Sequence, residues 1–169
     1  MPDMSFSLPA PTAIGADHIA ILSESARCGF VDCEREALKS LATLSGWRVN
    51  QSVFAEEVPT LIPVLKGALG TQDQECRRCA ATILFNLATM PRTHAQLCEV
   101  VDPIFVALRD CARKEVRRQL LAALELLTAA MAVVEILRSN PGYAKIVDNL
   151  PDTPCLRELK KGVFQVLSS

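Results

Sequence analysis

After its first fifteen residues, the chain alternates apolar and polar positions with a helical period. Residues 1–15 (MPDMSFSLPAPTAIG) set three prolines among small residues and show no period, which predicts an extended arm. From Asp17 onward the chain falls into helical stretches of roughly 10 to 15 residues, separated by short Gly, Pro and polar breaks. Residues 16–169 are expected to form one helical domain.

The stretches repeat. Four segments lie over one another: CEREALKSLATL from Cys33, CRRCAATILFNL from Cys76, VRRQLLAALELL from Val116 and LRELKKGVFQVL from Leu156. Their starts are 43, 40 and 40 residues apart. The first, ninth and twelfth positions are apolar in every copy: Cys33, Leu41 and Leu44; Cys76, Leu84 and Leu87; Val116, Leu124 and Leu127; Leu156, Phe164 and Leu167. Spacings of 8 and 3 put the three on one face of a helix, so each segment predicts a long helix buried along that face.

The connecting segments repeat more loosely. EEVPTLIPVLKGAL and EVVDPIFVALRDCA each pair a proline near a helix start with an apolar run, and ADHIAILSESARC reads as an earlier copy. Asp17, Asp102 and Thr153 are placed to cap helices, with Pro103 and Pro154 following at the first helical position. WRVNQSVFAE and RTHAQLCEVV precede two of these runs. A unit therefore reads as a short helix, a middle helix and a longer third helix.

Composition supports a helical protein. Leu and Ala make up about a quarter of the chain, aromatic residues only 5%, and these are helix formers rather than the residues that sheet sandwiches favour. A 169-residue chain that is 50% hydrophobic can bury a core. The formal charge of −1 argues against a globally basic nucleic-acid binder. Seven cysteines are an odd number, and no basic and apolar leader opens the chain, so the thiols are expected to be reduced and the protein intracellular, cytoplasmic or nuclear. The most apolar stretch, 120–137, contains Glu125 and Glu135 and is followed by Arg138, which predicts a buried helix rather than a membrane span.

A period near 40 with two or three helices per unit belongs to the armadillo/HEAT class. CRRCAATILFNLAT resembles the armadillo third helix, which ends in Asn-Leu and a small residue. The resemblance covers residues 17–169. The Gly-Gly that usually precedes the middle helix is missing, and Asn86 alone matches the armadillo asparagine, the equivalent positions being Thr43, Leu126 and Val166. The fold implied is all-α: a short right-handed α-solenoid of about three armadillo-like repeats behind an N-terminal partial repeat. Positions five and six of the third helix are Ala37-Leu38, Ala80-Ala81 and Leu120-Leu121, then Lys160-Lys161. That change reads as a solvated end of the stack.

In armadillo proteins the third helices line a groove that holds an extended peptide, and the resemblance puts that groove on positions three, seven and eleven. They are Arg35, Lys39 and Thr43; Arg78, Thr82 and Asn86; Arg118, Ala122 and Leu126; Glu158, Gly162 and Val166. Arg35, Arg78 and Arg118 form a ladder able to fork onto carboxylates or phosphates, like the basic grooves of catenins. The expected function is a non-catalytic protein-interaction or scaffold module for an acidic or phosphorylated segment, contacted by Arg35, Lys39, Arg78, Thr82, Asn86 and Arg118. A structural subunit docking through its N-terminal end is the alternative. An RNA-associated module using Arg77, Arg78, Arg113, Lys114, Arg117 and Arg118 ranks behind both, since Trp47 and Tyr143 are not interleaved with that run.

Other chemistry finds little support in the sequence. Cys76-Arg77-Arg78-Cys79 has redox or zinc spacing but falls inside a helix, and Cys28 with Cys33 completes no standard zinc pattern, so the cysteines read as small core residues. His18 and His94 lie beside no nucleophile or ligand set, and no phosphate-binding glycine loop occurs. No enzyme activity, cofactor, metal or membrane is expected.

Overall fold

In the computed structural model the described residues are 12–168. They form ten α-helices and, among these residues, no strand. The first unit holds α1 (Ala16–Ser25) and α2 (Val31–Ser45); the second holds α3 (Gln51–Glu56), α4 (Val58–Gly70) and α5 (Gln74–Ala88). The third holds α6 (Val101–Asp110) and α7 (Lys114–Leu127), and the last holds α8 (Met131–Ser139), α9 (Gly142–Asp148) and α10 (Pro154–Ser168). Short 3-10 turns precede α3 at Arg48–Asn50 and α6 at Gln96–Val100.

Packing follows the repeat. Each long helix lies against the next, α2 on α5, α5 on α7 and α7 on α10, while α1, α4, α6 and α9 form a second row in that order. The core lies between the two rows. In the two inner copies the first, ninth and twelfth positions are sealed off: Cys76, Leu84, Leu87, Val116, Leu124 and Leu127 are all buried. The outer copies have a neighbour on one side only, and Leu44, Phe164 and Leu167 are half-buried. At the same register Cys33 is exposed. Burial of the middle faces stabilises the stack by about 25 cal/mol per Å² of apolar surface removed from water.

Three local expectations are corrected. Asp17 and Asp102 are not caps: α1 starts from Gly15, and α6 runs straight on from the 3-10 turn at Val100, which leaves both carboxylates inside first turns. The stretch 120–137 is not one helix, because α7 and α8 meet at an angle of 117°. Thr128 closes α7, its hydroxyl donating to the Glu125 carbonyl at 2.6 Å. No single helix among the described residues is long and apolar enough to cross a membrane. RTHAQLCEVV forms 3-10 turns rather than a helix of its own.

Much of the 1–15 arm lies outside the described residues, but its last residues are held. Asn50, fully buried, accepts from the Ile14 N–H at 3.0 Å and donates to the Thr12 and Leu44 carbonyls at 3.2 Å each. One amide thus ties the incoming chain to the end of α2. At the other end, Lys160 reaches back to the carbonyls of Asp148 and Leu150 at 3.1 and 2.9 Å, and Lys161 pairs with Glu158 in solvent. The equivalent Leu120 and Leu121 are fully buried.

Candidate binding face

The third, seventh and eleventh positions of α2, α5, α7 and α10 share one solvent-reaching face. None of the twelve is buried: Thr43, Arg118, Leu126 and Glu158 are exposed and the rest are half-buried. A helix puts residues at i, i+4 and i+8 on one side, and burying the opposite side leaves this one free.

On the α2–α5 half the cations already have partners within the fold. Arg35 meets Asp73 at 2.7 Å and Asp32 at 3.3 Å. Asp73 also caps α5, its Oδ1 accepting from the Glu75 and Cys76 amides at 2.9 and 2.8 Å. The Cys76 amide and the Arg35 guanidinium hold the Asp73 carboxyl down at about 2, and Asp73 in turn raises Arg35. Lys39 pairs with Glu36 at 2.8 Å. Asn86 donates to the Ser45 hydroxyl at 2.9 Å, joining α5 to the end of α2, while among the described residues its Oδ1 accepts no hydrogen bond.

Between α5 and α7 the pattern continues. Arg78 forks onto Glu75 at 3.0 and 2.6 Å, and Arg113 approaches the same carboxylate at 3.8 Å. The Arg78 hydrogen bond holds Glu75 below its ordinary range. Thr82 and Gln119 bond across the two helices, Gln119 Nε2 donating at 3.1 Å. Two rungs of the arginine ladder are therefore occupied by carboxylates of the protein itself.

Arg118, the third rung, is exposed and has no ion pair among the described residues. It lines a cleft of about 420 Å³ with Phe85, Gln119, Ala122 and Leu159, contributed by α5, α7 and α10. Here an unpaired guanidinium stands beside an apolar floor. Phe85, Gln119 and Leu159 fall at the tenth and fourth positions of their segments, one residue beside the rows that the sequence predicts.

Arg77 behaves quite unlike its neighbour Arg78. It is 1% exposed, and its guanidinium donates to the Thr71 carbonyl at 2.5 Å and the Asp110 carbonyl at 3.4 Å, at the ends of α4 and α6. Its Nε has no partner among the described residues. The six-residue basic run expected for RNA thus loses Arg77 to the interior, and Arg78 and Arg113 face Glu75.

Cys76 and Cys79 are buried as expected, and burial pushes Cys76 up to about 11 and Cys79 upward. Cys28 and Cys33 are exposed, against the expectation of core residues. His94 is buried, with Nε2 2.7 Å from the Ala88 carbonyl; His18 Nδ1 faces the Gly15 amide at 3.5 Å. No group of three or more His, Cys, Asp or Glu suited to a metal occurs among the described residues.

The chain is an all-α protein. No protein-family model and no curated protein matches it. An engineered protein whose crystal structure was solved by a structural genomics consortium is similar in fold, with a TM-score of 0.69 at 17% identity. The match covers 89% of this chain and 38% of that one, so the chain spans well under half the length of that protein. At this identity the likeness concerns the fold alone.

Proposed function

We propose that the chain is a non-catalytic, intracellular protein-interaction module. In this reading it is an armadillo-like α-solenoid of about three repeats plus a leading partial one, and it takes a partner segment along the face of α2, α5, α7 and α10. The two rows of helices, repeating at the 40-residue period, support the solenoid. The observation that carries the binding reading is the cleft of Phe85, Gln119, Ala122 and Leu159 with the free guanidinium of Arg118 at its edge. A segment with an apolar side chain next to a carboxylate or phosphate fits it, the first filling the cleft and the second forking onto Arg118. Arg35, Lys39 and Arg78 contribute only where a partner's anions displace their internal ones.

Selection from a random displayed-peptide library tests this. Enriched peptides should combine acidic and apolar residues and lose binding to Arg118→Glu, after circular dichroism shows that the variant folds. Enrichment of basic peptides, or binding indifferent to Arg118→Glu, would sink it. A second reading, docking of the N-terminal end in a larger assembly, draws support from Ile21 of α1, Phe30 of the α1–α2 turn and Val31 at the start of α2, exposed at 63%, 75% and 54%.

A further inference from the structure

The turn between α1 and α2 brings two exposed thiols together. Cys28 Sγ donates to the Phe30 carbonyl at 3.9 Å and Cys33 Sγ to the Ser25 carbonyl at 3.7 Å. The same Ser25 carbonyl accepts the Cys28 N–H at 3.4 Å, so Cys28 and Cys33 meet at one oxygen. Backbone geometry sets this approach. Gly29 turns the chain at φ +83°, and the Glu34 carboxylate bends back to accept the Gly29 N–H at 2.8 Å, tying the turn to the first turn of α2. Cys76, Cys79 and Cys111 are buried and Cys98 is half-buried, so among the described residues this is the one thiol pair open to solvent.

We propose that Cys28 and Cys33 form a redox site, a dithiol that peroxide oxidises to an intramolecular disulfide and that a thiol reductant restores. The Cys28 thiolate attacks one peroxide oxygen; the O–O bond breaks, and with one proton the sulfur becomes a sulfenic acid while water leaves. Cys33 then attacks that sulfur and gives up its proton. The S–O bond breaks, the hydroxide leaves as a second water, and the S–S bond closes. Two thiols have lost two electrons and two protons to one peroxide. The product ties the α1–α2 turn to the first turn of α2 and fixes the segment that carries the exposed Phe30 and Val31.

The site is convenient to assay because trypsin, cutting after Arg27 and Arg35, releases both cysteines on one peptide, 28–35. The folded protein is treated with hydrogen peroxide, alkylated with iodoacetamide, unfolded and digested. The expected result is a 28–35 peptide carrying no alkyl group and about 2 Da lighter than its reduced form, which takes two alkyl groups if dithiothreitol is added first. Cys28→Ser and Cys33→Ser, both at exposed positions, should abolish that species. The proposal is overturned if the wild-type peptide keeps two alkyl groups after peroxide, if it is oxidised only to sulfinic or sulfonic acid, or if its disulfide joins two chains or another cysteine.

Discussion

One carboxylate, that of Asp73, caps α5 through Oδ1 and grips Arg35 of α2 through Oδ2 at 2.7 Å. Its loss therefore acts on two helices at once. Asp73→Ala should cost about 1–2 kcal/mol, an N-cap plus a half-exposed ion pair, and Asp73→Asn less, because Asn caps nearly as well. The folded carboxyl titrates at about 2 against an ordinary value of 3.8. A depressed folded pKa gives stability that is present above the unfolded value and disappears as pH falls through the folded one. Urea unfolding from pH 5 to pH 2 should thus show the wild type losing stability between about 4 and about 2, with a smaller loss in Asp73→Asn. Equal slopes for the two proteins would refute the assignment.

Arg77 and Arg78 are consecutive and carry opposite predictions. Arg77 is buried, with its charge spread over two helix-end carbonyls, where hydrogen bonds to a charged group contribute about 1.5–3 kcal/mol each when broken. Arg77→Met should destabilise by roughly 2–4 kcal/mol. Arg78→Ala removes a surface pair and should stay within about 1 kcal/mol. Urea midpoints of the two variants decide it, and a small Arg77 effect would show that its carbonyl contacts add nothing net.

That pair also shows how far the sequence could be read. The four long helices were legible because three apolar positions recur at a fixed register, and those positions are the sealed ones in α5 and α7. Which of two adjacent arginines faces inward depends on about 100° of helix rotation. A signal existed, since Arg77 shares its stripe with Ala80, Leu84 and Leu87 at i+3, i+7 and i+10, all buried. Asp73 was likewise readable as a cap just ahead of a periodic run. The break between α7 and α8 was not, because Thr128, Ala129 and Ala130 include neither Gly nor Pro. Nor was the pairing of Arg35 with Asp73 and of Arg78 with Glu75, because helical spacing places residues on a face without saying what a neighbouring helix brings to them.

Filling the cleft offers a test of the binding face that leaves its charge alone. Ala122 is half-buried on the cleft wall, so a bulky side chain there occupies the space meant for a partner's apolar group. Ala122→Trp should keep stability within about 1 kcal/mol, as expected of a position open to solvent, and lose the peptides selected on the wild type. Isothermal titration checks affinity and a thermal melt checks folding. Undiminished affinity would move the site away from α5, α7 and α10.

Two glycines should respond to alanine in opposite directions. Gly67 lies in α4 with open space where a Cβ would go, so Gly67→Ala removes unfolded-state freedom at no steric cost. A gain of about 0.5–1 kcal/mol, or roughly 1–4 °C in Tm, is expected. Gly29 also has open space around it, but its φ of +83° is one that an L side chain resists. Gly29→Ala should cost about 1 kcal/mol or more. It should also slow closure of the Cys28–Cys33 disulfide, because the strained turn no longer holds the two thiols together. A Tm rise for Gly29→Ala, with peroxide still closing the disulfide at the wild-type rate, would mean that the left-handed turn is not what brings the thiols into contact.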